Sequence, residues 1–418
     1  MHETDPSTQN DFSILMNRVP VFDRESAIQG YELSLHEDDS SPVETADQFS
    51  ELLRTFEAEL SQDKKILLGM DGRLGAMVLP DATERHIIAI SPDSSTEEVA
   101  TAKRLRESGA KLMVHYRPHS RDRHDLLREA DIIRLSIRNR SPREVMAVQK
   151  DLKGMPGMKM AADIDSWEAY EGTRALGFQW FHGPFFTRPF FRPGEPVSTG
   201  AVAKLQILRE LNMPECDLKR LSEAIATDAG LSYRLLSYIN SAAFSLPNKI
   251  KSIQQAVALL GLEETKKWAM VVLMSGLDET DKGGELAFMA LQHARFLEDM
   301  AALESVPHTP GTMFLLGLFS RLDALLSHPM PQLLERLPLD DEIKLALCGR
   351  ESPLRNWLRM LEAVQREDWK KANEILCGYG ACLPEAAASY LRASSWANRQ
   401  CSAISCSLGA ESASDSTH

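Results

Sequence analysis

The carboxylate at position 32 is the first residue whose type and setting could do chemistry. In Gly30-Tyr31-Glu32-Leu33-Ser34-Leu35, strand alternation puts Gly30, Glu32 and Ser34 on one face and Tyr31, Leu33 and Leu35 on the other. In a barrel wrapped by helices the apolar set faces outward, which leaves Glu32 inside, near the C-terminal end of its strand. A carboxylate there serves as a metal ligand or a general base; a polar side chain in a hydrated barrel mouth is the equal alternative. Two cysteine pairs, Cys377 with Cys382 and Cys401 with Cys406, invite a zinc reading. Their spacing exceeds that of a zinc knuckle and no histidine lies between the members, so structural thiols are favoured. No Walker-type loop, G-x-S-x-G elbow or G-x-G-x-x-G turn is present. The mixed Arg, His and Asp residues from Arg117 to Arg128 read as a solvated loop and short helix rather than an RNA site.

The elements that must position these residues change character along the chain. Strand patterns are expected at Ile14–Arg18, Ile28–Leu35, Ile66–Met70, His86–Ile90, Lys111–Val114, Ile132–Leu135, Lys159–Ala162 and Gln179–Phe181. Helices lie between several of them: Asp47–Glu59, one opened by the capping-box pattern Ser95-Thr96-Glu97-Glu98, one opened by Ser141-Pro142, and one from Ser166 to Gly177. This alternation predicts a parallel sheet closed into a compact (β/α) barrel. Proline and glycine crowd the stretch from Arg188 to Gly200, which marks a domain boundary. Beyond it the apolar period becomes helical. Asp217 and Asp228 are expected to cap helices, Ser252-Ile253-Gln254-Gln255 to form a capping box closed by Gly261, and longer helices to run over Glu285–Leu303 and Thr312–Leu326. The fold class is α/β plus all-α. The expected organisation is a polar tail over 1–12, a barrel over 13–195, a helical domain over 196–400 and a disordered Ser/Ala-rich tail over 401–418.

Composition excludes some partners. The 418 residues carry 47 Lys plus Arg against 60 Asp plus Glu, a formal charge of −13. A broad nucleic-acid binder needs a basic face to displace counterions, so no nucleic acid is expected, and anionic membranes are disfavoured for the same reason. A local basic patch is compatible with this balance. The polar start Met1–Asp11 lacks the form of a secretory signal. The densest apolar run, Trp268–Leu277, is about half of the roughly 20 residues a membrane span needs. A cytoplasmic location is expected.

Several segments resemble a known family. Val19-Pro20-Val21-Phe22-Asp23 and Ile28-Gln29-Gly30-Tyr31-Glu32 look like the opening of EAL domains, the cyclic-di-GMP phosphodiesterases. Asp131-Ile132-Ile133-Arg134-Leu135 and the run from Leu176 to Phe186 look like its later strands. Carried over residue by residue, the resemblance implies that the EAL glutamate is Glu32 and that the arginine contacting the nucleotide has become His36. The asparagine ligand finds no asparagine within Leu67–Asp71. The next glutamate falls at about Ala89, and the adjacent aspartates on His115 and Tyr116. The catalytic lysine falls on Arg134, the aspartate after it on Ser136, the late glutamate on Ala162 and the glutamine before the final glycine on His182. A two-metal hydrolysis needs oxygen ligands, and of these only Glu32 remains.

The helical half resembles the HDOD domain, through Asp228-Ala229-Gly230-Leu231-Ser232-Tyr233-Arg234, Ile239-Asn240-Ser241-Ala242-Ala243-Phe244 and Ser252–Gly261. HDOD domains resemble metal-dependent HD hydrolases but lack their ligands. Where those carry a His-Asp pair, this chain has Ser320 and Arg321. His293 then reads as a packed or surface histidine.

The barrel is therefore expected to be inactive as a phosphodiesterase, with no catalytic residue, metal or cofactor. Glu32, His36, His115, Arg134 and His182 would meet at its mouth as a repurposed histidine metal site, as a pocket for another anion, or through drift once catalysis was lost; drift is favoured. The expected role is a non-catalytic EAL–HDOD signalling protein working by protein–protein contact. The alternative is a receptor that binds cyclic-di-GMP without cutting it, and a residual phosphodiesterase is the third reading.

Overall fold

A computed structural model describes residues 15–36, 42–69, 83–117, 124–191, 197–241, 244, 249–303, 305–381 and 383–415. The apolar runs of the first half form a closed barrel whose strands follow chain order around the ring. They are β1 (Leu15–Phe22), β2 (Ile28–His36), β3 (Lys65–Gly69), β4 (His86–Ile90), β5 (Lys111–His115), β6 (Ile132–Ser136), β7 (Met158–Ala162) and β8 (Trp180–His182). From β2 to β8 each neighbour is parallel.

The sheet is not wholly parallel, because β1 is antiparallel to both β2 and β8. The link Asp23–Ala27 is too short for a crossover, so the chain turns back as a hairpin. Asp23 holds that turn. Its Oδ1 accepts from the N–H groups of Glu25 and Ala27, both at 2.9 Å, and its Oδ2 accepts from Gln29 Nε2 at 2.7 Å. β1 also extends four residues past the expected Arg18, through Pro20, to Phe22.

Inward alternation fills the barrel with an apolar layer: Val21, Leu67, Ile87, Ala89, Met113, Ile132, Met160 and Trp180 pack as one buried cluster. Burying each large member fully is worth about 1.5–3 kcal/mol. Outward residues meet helices, as where Tyr31 sets its ring edge-on to Phe56 of α1 (Pro42–Glu59), centroids 5.8 Å apart. The remaining helices here are α2 (Thr96–Glu107), α3 (His124–Glu129), α4 (Pro142–Asp151) and α5 (Trp167–Ala175). Ser95 and Ser141 form complete capping boxes with Glu98 and Glu144, and Ser166 caps α5 through the N–H of Ala169. Each such cap is worth about 1 kcal/mol.

By contacts the chain divides into one compact unit of Met1–Arg188 with Arg359–Leu391, and another of Pro189–Leu358 with Arg392–His418. The second unit opens with α6 (Thr199–Leu211), α7 (Leu218–Ala226), α8 (Ala229–Ile239), α9 (Ile253–Leu260) and α10 (Leu262–Ser275). Asp217, Asp228 and Ser252 cap their helices as expected. Only half of the box at Ser252 forms, since the Gln255 side chain accepts from the N–H of Lys251 instead, at 3.4 Å. α11 (Asp281–Met300) is the buried axis.

The helix expected over Thr312–Leu326 is broken. α12 (Pro310–Leu318) and α13 (Leu322–Leu326) are separated by a 3₁₀ turn at Phe319–Arg321. There follow α14 (Met330–Leu334), α15 (Asp341–Leu347), α16 (Pro353–Gln365), α17 (Trp369–Cys377) and α18 (Leu383–Asp415). Residues 401–415, expected as a disordered tail, continue α18; their alanines favour a helix as much as their serines favour disorder. Among the described residues no helix is long and apolar enough to cross a membrane.

Candidate ligand pocket at the barrel mouth

The polar residues of the mouth stand one step above the apolar layer on the same strands. Met113 of β5 is followed inward by His115, Ile132 of β6 by Arg134 and then Ser136, and Trp180 of β8 by His182. With Glu32 of β2 these converge at the C-terminal end of the barrel. Arg134 donates from Nη1 to Glu32 Oε1, and its other terminal nitrogen lies 3.9 Å from Asp163 Oδ1. His182 Nε2 is 3.1 Å from Glu32 Oε2, off the line a hydrogen bond needs. Backbone pairing sets His115 beside Arg134.

His182 is held by the chain that follows it. Its carbonyl accepts from the Ile164 N–H at 3.0 Å. Gly183 has a φ of 133°, and a Cβ there would lie 2.4 Å from the backbone N and O of Ile164. Only glycine allows that approach.

Sequence reasoning missed Asp163. Strict alternation after Ala162 aims it out of the barrel, but a left-handed φ of 60° turns it back. Its carboxylate accepts from Ser136 Oγ and lies 3.5 Å from Arg138. The signal was an Asp immediately past a strand end, since Asp tolerates the left-handed region better than most residues. Of the predicted pocket residues, Glu32, His115, Arg134 and His182 come together. His36 ends β2, and its side chain lies outside the described residues.

The charges of the cluster offset one another, although Glu32 Oε2, His115 Nε2 and both ring nitrogens of His182 are buried without a hydrogen-bond partner. Burial penalises the Glu32 carboxylate, but the charge of Arg134, then of His182 and His115, outweighs that penalty and holds the carboxyl down at about 2. Burial, aided by Arg134, pushes His115 down to about 4 and lowers His182 as well, so both imidazoles are neutral at pH 7. Asp163 is held low: burial opposes its charge, while the Ser136 hydrogen bond and Arg134 favour it. Glu367, from the turn between α16 and α17 in the same compact unit, adds a negative charge felt by Arg134 and His182.

These residues do not fit the divalent ions that the EAL resemblance implies. The retained carboxylate already holds a guanidinium, and the ligand positions at Ala89 and Ala162 are buried alanines. Among the described residues no group of three or more His, Cys, Asp or Glu side chains could hold a metal ion. Cys377 and Cys401 form no disulfide; the side chains of Cys382 and Cys406 lie outside the described residues.

The corresponding place in the helical unit has a similar character. His293 of α11 is fully buried, with Nδ1 2.9 Å from Ser320 Oγ. The Ser320 hydroxyl donates to the Gly317 carbonyl at 2.6 Å, so its oxygen accepts from His293 Nδ1–H. Burial, then Arg321, pushes His293 well below its ordinary range. The histidine is thus a packed one. Asn240, whose side chain clamps the N–H and C=O of Ile250 at 2.7 and 2.8 Å, plays the structural part expected of it.

Comparison with known proteins agrees with this division. Residues 200–337 match the family model for the HDOD domain. The chain is 27% identical over 407 residues, 92% of its length and 98% of the other, to the uncharacterized protein YuxH of Bacillus subtilis. It is 32% identical over 237 residues, 57% of its length and 55% of the other, to the cyclic di-GMP phosphodiesterase CdgJ of Vibrio cholerae. Among solved structures, the Bacillus subtilis YkuI protein, with an EAL domain in complex with c-di-GMP and calcium, aligns over 52% of this chain and 73% of that one. The identity is 12% and the TM-score 0.36.

Proposed function

We infer that this chain, an EAL-like barrel followed by an HDOD domain, is a non-catalytic signalling protein that works through protein–protein contact. The observation that carries this reading is the buried bond from Arg134 to Glu32. Where a phosphodiesterase would set a carboxylate against a divalent ion, the barrel supplies its own guanidinium. The other oxygen ligands the chemistry needs are replaced by Ala89 and Ala162, or by neutral His115. The HDOD unit has Ser320 and Arg321 where HD hydrolases resemble one another in a His-Asp pair. Two folds built around metal chemistry have thus kept their frames and lost their donors, which leaves their surfaces as the means of action.

A second reading is favoured by the name of one relative. CdgJ is a cyclic di-GMP phosphodiesterase, and Glu32 is retained here. Against it, among the described residues the negative charges of Glu32, Asp163 and Glu367 share the mouth with the cations Arg134 and Arg138, and Arg117 near His115 is paired with Asp93. These described residues carry no surplus of positive charge for an anionic dinucleotide.

The intact protein should release no linear dinucleotide from cyclic-di-GMP with Mg²⁺ or Mn²⁺, and calorimetric titration should show no binding that Arg134→Met weakens. Turnover would overturn the non-catalytic reading. Binding at roughly micromolar Kd without turnover, about −8 kcal/mol, that Arg134→Met weakens would make the barrel mouth a receptor instead.

A further inference from the structure

A second polar cavity lies at the end of the barrel away from Glu32. It is an open cavity of about 480 Å³, between the C-terminal ends of α4 and α5 and the first residues of β7 and β8. Lys150 and Lys153 at the end of α4 and Lys159 of β7 line it, with Gln149, Gln179 and Met146, and no acidic side chain does. Three ammonium groups thus gather in a chain whose formal charge is −13.

Basic residues in a last helical turn often serve only to offset the helix dipole. Here the loose carbonyls are already engaged. Val148 O accepts from Leu152 N at 2.9 Å and Lys150 O from Lys153 N at 3.2 Å. Leu176 O accepts from Gln149 Nε2 at 2.9 Å, and Met155 O from Lys159 Nζ at 3.0 Å. Lys150 and Lys153 make no ion pair among the described residues, which leaves both charges to face the cavity. Lys150 and Lys153 are exposed and the cavity between them and Lys159 is open, so an anion can reach all three.

We propose that this cavity binds a small organic phosphate. Lys150, Lys153 and Lys159 hold the anionic group through charge-assisted bonds, and Met146 covers its apolar part. The volume is that of a site for a nucleotide-sized molecule. Cavity and mouth lie at opposite ends of the strands, so this site is independent of whether the mouth binds anything.

The test is calorimetric titration of the full chain with AMP and with inorganic pyrophosphate, at low and at high salt. Both probes should bind, AMP with a Kd of order 10–100 µM, and both more weakly as salt rises. The double substitution Lys150→Gln/Lys153→Gln, on two exposed side chains that carry no fold contact, should weaken both probes roughly hundred-fold. Met146→Asp, which replaces the apolar cover with a like charge, should weaken AMP roughly tenfold or more. No heat from either probe at about millimolar concentration, or wild-type affinity in the double variant, would overturn the assignment.

Discussion

Arg134 shows how far one residue can decide the character of a site. Its guanidinium is almost wholly buried and answers two carboxylates, Glu32 and Asp163. Arg134→Met leaves Glu32 as an unpaired buried charge and should cost the barrel about 3–5 kcal/mol. Adding Glu32→Leu removes the orphaned charge, so the double variant should regain most of that loss. Hydrogen exchange of the β6 amides measures both, and a single variant as stable as the double would show that the pair does not hold the mouth. Protonation gives a second prediction at this scale. Unfolded His115 takes up a proton near pH 6.5, but in the barrel it does so only near 4. The unfolded state therefore binds more protons across that window, and stability falls as pH falls through it. Glu32 acts in the same direction lower down, from about 4.5 to about 2. Each contribution is of order 3 kcal/mol. His115→Gln should lessen the loss between pH 6.5 and 4, to which the lowered His182 and His293 also contribute, and leave the loss below 4 in place. Period-2 alternation was enough to place Glu32 inside the barrel, and the EAL resemblance brought His115, Arg134 and His182 to the same mouth. Asp163 escaped because a single left-handed backbone angle, invisible to alternation, reverses where its side chain points.

At the scale of elements, the sequence is read best where one rule acts alone. Every expected strand is present, within a few residues of its predicted bounds. Serine caps at Ser95, Ser141 and Ser166 open the helices they were assigned to. The misreadings fall where local and tertiary demands conflict. β1, expected over Ile14–Arg18, runs on through Pro20 to Phe22, where Val21 and Phe22 pair with β8 as well as β2. The apolar pattern of Thr312–Leu326 argued for one helix. Its α12 packs so close to α11 that a Cβ on Gly317 would lie 2.4 Å from Ala294 N, and the helix then tightens into a 3₁₀ turn. Backbone-limited positions give sharp predictions. Gly183→Ala forces a side chain into a φ of 133° and onto the Ile164 backbone, and should cost about 3 kcal/mol or more through strain of the loop that anchors His182. Asn240→Ala removes both bonds to Ile250 and should cost about 2–3 kcal/mol in the helical unit. Chemical denaturation of each variant, followed by circular dichroism, measures these losses. A near-neutral Gly183→Ala would mean that the β8 loop is free to adjust.

For the molecule as a whole, the proposed non-catalytic role makes one demand on both units, that neither holds a divalent ion. In the barrel Arg134 is bonded to Glu32. In the helical unit the Ser320 hydroxyl oxygen accepts from Nδ1 of the buried His293, and burial, aided by Arg321, holds that histidine well below its ordinary range. A bound ion stabilises only by its preference for the folded state. At a hundred times its Kd that is worth about 2.7 kcal/mol, a shift of about 5–11 °C for units of this size. The intact protein should therefore melt at the same temperature after EDTA treatment and in about millimolar Mn²⁺ or Mg²⁺, which is ample for a site of about 10 µM. Differential scanning calorimetry reads this without any substrate, so the result does not depend on identifying what the protein acts on. A saturable rise in melting temperature that Arg134→Met strengthens would show the guanidinium competing with a metal the barrel still accepts. A rise that Arg134→Met leaves untouched would place the ion elsewhere and sever the link between the lost donors and the signalling role.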